Sequence, residues 1–170
     1  RMEFSKIENF KEVSRTRIEV PNVESYCEKN WMPIHDKPFH FVKWTNPTEI
    51  VKVDLETKTS EQVYLGKQID GFKYDLRGGT SVIRWDADTY IAITHECYFI
   101  PKNNLGHKDA VYKHRFILWD NNFNIKLITR PFDFMTGVIE FCLGMEQIND
   151  TEVIIVFGFY DSCCYAVKCL

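Results

Sequence analysis

No stretch of this 170-residue sequence comes near the roughly 20 consecutive apolar residues that a membrane-crossing helix requires. The opening segment RMEFSKIENF has neither the apolar core nor the small-residue cleavage step of a secretion signal. Basic clusters are missing as well: 21 Lys and Arg stand against 24 Asp and Glu, for a net charge of −3. Without a Lys/Arg patch there is little to neutralise a phosphate backbone. Neither nucleic acid nor membrane is therefore an expected partner, and the expectation is a soluble, cytoplasmic protein.

Several chemistries lack their sequence context. The six cysteines, Cys27, Cys97, Cys142, Cys163, Cys164 and Cys169, are irregularly spaced and contain no C-x-x-C pair, so they are expected to be reduced and mostly buried rather than zinc ligands. The histidines at 35, 40, 95, 107 and 114 show neither H-x-x-x-H nor H-x-H, and no metal or cofactor is expected. There is no G-x-S-x-G to present a nucleophilic serine, and no G-x-x-x-x-G-K-[ST] to cradle a nucleotide phosphate. No window carries a helical apolar stripe.

What the sequence does have is period-two alternation in short β-branched and aromatic runs. These are HFVKW (40–44), EIVKVDL (49–55), TSVIRW (80–85), YIAITHECYF (90–99), HRFILWD (114–120), NIKLI (124–128), GVIEFCLGM (137–145), EVIIVFGFY (152–160) and CCYAVKC (163–169). Turn-forming residues such as Arg77-Gly78-Gly79, Asp120-Asn121-Asn122 and Asn149-Asp150 separate them. The gaps are mostly too short for crossover helices, which predicts an all-β chain of antiparallel neighbours.

Two pairs of similar segments share one spacing. EIVKVDLETK and RFILWDNNFN place Asp54 and Asp120 66 residues apart, and YIAITHECYF and IIVFGFYDSC do the same for His95 and Asp161. A period of that length holding about four strands suggests a propeller blade with a long insertion. The expected blades run from about 31 to 66, 78 to 132 and 137 to 170, the last with three strands, and residues 1–20 form the last two strands of an earlier blade. A start at Arg1 rather than Met agrees with a fragment having further blades or domains upstream. A sandwich of about eleven strands is the alternative.

In a propeller, polar residues at inner strand ends face one axial mouth. The candidates are Asn30, Arg77, Thr80, His95, Glu96, Tyr112, Glu140 and Asp161. Glu140 lies between apolar neighbours in VIEF and must find a partner or solvent. Arg77 can fork onto a phosphate or a pair of sugar hydroxyls. The paired glycines of LRGGT let the backbone come close to a ligand or to another strand.

Taken in order, EKNWMPI, LRGGTSVI, YIAITH, YKHRFILWD, GVIEFCLGM and IIVFGFYD resemble the β-mannoside phosphorylase family of glycoside hydrolases and the related β-1,2-mannosyltransferases. The resemblance implies a five-bladed β-propeller with its sugar site on the axis, of which this chain covers the later blades. It sets Lys29 and Asn30 on the family's Lys-Asp motif, whose Asp is the general acid. It sets His95 and Tyr112 on phosphate-holding positions, and Asp161 on an aspartate that touches the sugar. The family's Asp-Pro-Arg segment has no counterpart here. Asn30 departs from the pattern, because an amide has no proton to give near neutral pH; the EKNW form resembles the transferase-like branch. Trp31 is then expected as a sugar platform and Lys29 as a partner for an anionic donor group. The function implied is glycosyl transfer on a mannoside-type sugar, with phosphate or a sugar-nucleotide donor as partner. The alternatives are a non-catalytic glycan-binding propeller and a structural β domain.

Overall fold

A computed structural model describes residues 2–19, 29–100, 109–135 and 139–169. The described residues are all-β, with no helix, and the strands form four separate antiparallel sheets rather than the two of a sandwich. Each sheet is built from one consecutive stretch of chain.

The first sheet is a hairpin of β1 (Glu3–Glu8) and β2 (Lys11–Arg17). The second runs β3 (Met32–Pro33), β4 (His40–Trp44), β5 (Glu49–Asp54) and β6 (Thr59–Leu65), in chain order. The third comprises β7 (Arg77–Gly78), β8 (Ile83–Arg84), β9 (Thr89–Ile100), β10 (Asp109–Asp120) and β11 (Ile125–Ile128), with β7 and β8 both pairing with β9. The fourth is β12 (Glu140–Asn149), β13 (Glu152–Phe159) and β14 (Cys163–Cys169).

Alternation along the strands stacks these sheets in chain order. In β5, Val51 and Val53 turn toward the hairpin and pack with Ile18 and Phe4, while Ile50 turns the other way into a core shared with the third sheet. That second core holds Met32, Ile34 and Val42 against Tyr90, Ala92, Ile117 and Trp119. The opposite face of the third sheet sets Ile83, Ile91 and Ile93 against Cys142, Met145, Val153 and Ile155 of the fourth. Covered on both faces, β9 is buried without interruption from Thr89 to Glu96. The indole N–H of Trp119 donates to the Thr48 hydroxyl at 2.8 Å and ties the second sheet to the third.

Gly78 and Gly79 are where three sheets meet. A Cβ on Gly78 would lie 2.2 Å from the Asn30 carbonyl oxygen and 2.5 Å from Met32 Cγ; one on Gly79 would lie 2.8 Å from the Ile93 carbonyl. Cys142 Cβ is also within contact range of Gly79. The glycines thus serve close approach to other strands. A parallel bridge between Ile34 and Val82 continues the contact.

The strand readings require some corrections. TSVIRW is not one strand: Thr80 is a bonding post between β7 and β8, Val82 bridges to Ile34, and only Ile83 and Arg84 pair with β9. The 59–65 strand carries too little alternation to be read, because it is an exposed edge. His95 lies inside β9 rather than at a strand end, whereas Asp161 occupies the β13–β14 turn, so this pair is not equivalent. Asp54 and Asp120 do correspond, each ending a strand and accepting hydrogen bonds from the amides of the turn that follows. The described cysteines are free, and only Cys142 of them is buried. Cys163 and Cys164 are exposed because β14 is an edge strand; Cys27 lies outside the described residues.

Candidate functional site

A cleft of about 380 Å³ opens where the leading strands of the second, third and fourth sheets approach one another. Of the candidate residues, Lys29, Asn30, Arg77, His95 and Tyr112 line it. They come from the segment before β3 and from β7, β9 and β10. Register explains part of the convergence: Arg77 pairs with His95, and His95 with His114, so one cross-strand row spans β7, β9 and β10. Two positions further along, on the same face, Cys97 pairs with Tyr112. The Arg77 guanidinium sits 4.7 Å over the Trp44 ring. Asn30 holds a left-handed backbone, φ 64°, beside Gly78.

The floor is aromatic. His95 lies 5.4 Å from the Tyr112 ring and 5.1 Å from Phe141, with Phe141 edge-on to both. Only 2% of His95 is exposed, and its Nδ1 has no hydrogen-bond partner among the described residues. Burial first, and then the nearby His114, Arg77 and Lys29, push its pKa down to about 3, against the pull of a hydrogen bond to the Gly78 backbone. The imidazole is therefore neutral at ordinary pH. Burial raises the Tyr112 pKa, helped by Cys97 and by the charge of Asp161, so the phenol keeps its proton. A neutral ring and a phenol, with Lys29, Lys73 and Arg77 at the rim, suit an anionic ligand with a hydroxylated body.

Five sequence candidates lie outside the lining. Trp31 is buried, packed with Val51, Val53 and Phe41, rather than presented as a platform. The Thr80 hydroxyl accepts from the Ile93 amide at 3.0 Å and donates to the Ser81 carbonyl at 2.8 Å. Glu140 is fully buried, and its carboxylate accepts from the Phe134 and Met135 amides at 2.7 and 3.1 Å, which holds those two residues against the start of β12. Asp161 is exposed in its turn at φ 53° and reaches the site through its charge on Tyr112. Glu96 also faces elsewhere, paired with Arg115.

The lining adds residues that sequence reasoning missed: Lys73, Tyr74, Asp75, Cys97, Phe99 and Phe141. The run KYDLR offered a signal in its charges and tyrosine just before the glycines, but it has no strand period. No group of three or more His, Cys, Asp or Glu side chains that could hold a metal ion occurs among the described residues. No helix among them is long and apolar enough to cross a membrane.

Comparison with known proteins finds similarity to a named enzyme. The chain is 26% identical over 140 residues to β-mannosyltransferase 2 of Komagataella phaffii, in each of two strains. It resembles a yeast β-mannosyltransferase. The aligned region covers 75% of the chain and 22% of the relative's length, so the chain spans about a fifth of the curated proteins it matches. No protein-family model matches the chain, and no solved structure does.

Proposed function

We propose that the chain forms part of a β-propeller that transfers a mannosyl unit, with the cleft as its sugar site. The observation that carries this reading is the meeting of Lys29, Asn30, Arg77, His95 and Tyr112 in one cleft, in a chain similar to a β-mannosyltransferase. In this reading Arg77, Lys29 and the Tyr112 hydroxyl hold the phosphate of a sugar-nucleotide donor, while Asn30 bonds sugar hydroxyls. Asp161, outside the lining, acts on this site through its charge near Tyr112. Asn30 favours transfer over phosphorolysis, because a nucleotide leaving group departs without the proton that an amide cannot supply.

Isothermal titration of the full-length protein with mannosides and nucleotide-sugars tests the proposal. Arg77→Ala is expected to weaken nucleotide-sugar binding at least tenfold, and absence of binding to either class would overturn the reading. Asn30 also favours a second reading, a glycan-binding propeller without turnover. Product analysis separates the two: transfer that is lost in His95→Ala supports the enzyme, and sugar affinity without any transfer supports the binder.

A further inference from the structure

The cleft contains one carboxylate that no motif singled out. We infer that Asp75 is the proton acceptor of the site, the group that takes the hydroxyl proton of the sugar receiving the transferred unit. This rests on the glycosyl-transfer reading above. Asp75 is the sole Asp or Glu among the described lining residues, and it stands two positions before Arg77. Anchored neighbours bracket it: Tyr74 is stacked on Tyr98 at 5.4 Å and 21°, and Leu76 is 1% exposed. The backbone at Asp75 is thus held on both sides, and its exposed side chain lines the cleft.

The remaining lining groups do not suit the task. Lys29, Lys73 and Arg77 are cations, and the Asn30 amide does not titrate. Tyr112 keeps its proton, and buried His95 is a weak base. In the transfer step the acceptor oxygen bonds to the anomeric carbon as the donor's carbon–oxygen bond to phosphate breaks. The bonding pair leaves on the phosphate oxygen beside the cationic rim, and the acceptor's proton passes to the Asp75 carboxylate. Solvent then takes it from this exposed side chain.

The test compares Asp75→Asn and Asp75→Glu with Asp161→Asn in the full-length protein. Asp75→Asn is expected to lower kcat by about 10²–10⁴-fold. Donor affinity should stay the same or tighten, because a negative charge leaves the anion's surroundings. Asp75→Glu should recover part of the rate. Full turnover in Asp75→Asn, or a loss confined to Asp161→Asn, overturns this assignment alone. Failure of the unmodified protein to bind any nucleotide-sugar overturns the assignment together with the glycosyl-transfer reading.

Discussion

Two buried imidazoles dominate the pH response at the scale of single residues. Burial lowers the pKa of His95 to about 3 and that of His114 to about 4, the nearby Asp133 charge offsetting part of the effect on His114. Unfolded histidines titrate near 6.5, so below that pH the unfolded chain binds protons that the folded chain refuses. The stability they allow is complete above pH 6.5 and is lost as pH falls toward 4 and then 3. Each contributes a slope of up to about 1.4 kcal/mol per pH unit within its window. The urea midpoint should drop between pH 7 and pH 4.5, and His114→Phe should flatten that drop; a midpoint independent of pH would contradict it. Asp54 and Asp120 act in a separate window, since bonds from Thr57 and Asn124 hold their carboxyls below the usual range.

Gly78 gives a second single-residue test. A methyl group there meets the backbone oxygen of Asn30, which cannot rotate away, so Gly78→Ala should cost about 3 kcal/mol and disturb the cleft through Asn30. Gly144→Ala, with nothing within 4 Å of the added carbon, is the control and should leave thermal stability nearly unchanged apart from propensity. The sequence offered two roles for the glycine pair, a ligand or a strand. Only the tertiary contact with Met32 and Asn30 decides between them.

At the scale of elements, what could be read depended on which faces are covered. Strands with one dry face, such as β13 with Val153, Ile155 and Phe157 turned inward, alternate clearly and were legible. An exposed edge such as β6 has no such constraint, whereas β9 was legible as YIAITHECYF although its burial on both faces from Thr89 to Glu96, polar residues included, was not. The turn aspartates were legible because their role is local. Asp120 accepts from the Asn122 and Asn124 amides at 2.8 and 2.9 Å and from the Asn124 side chain at 3.0 Å. Asp120→Ala should therefore cost about 1–2 kcal/mol, measured by chemical denaturation, and should loosen the β10–β11 hairpin first.

For the molecule as a whole, the order of the sheets sets the order of opening. Backbone amides of β9, enclosed by two neighbouring sheets, should exchange slowest with deuterated solvent, and those of the nearly bare β1–β2 hairpin fastest. Comparable protection in both would contradict the stacked arrangement. The same scale limits what sequence alone shows of the site. His95, Arg77 and Tyr112 stood out by residue type and position, but Asp75 and Phe141 join them only through the approach of three sheets. Trp31 and Glu140 were drawn to the site by chemistry, although packing and two backbone amides occupy them.

The Trp119–Thr48 bond makes that indole an intrinsic optical probe of one seam. With Trp31, Trp44 and Trp85 replaced by Phe, its emission should remain blue-shifted and poorly quenched by iodide while the second and third sheets stay together. Their separation would turn it red before the rest of the chain melts, so a fluorescence trace can report a partial opening that a global signal averages away.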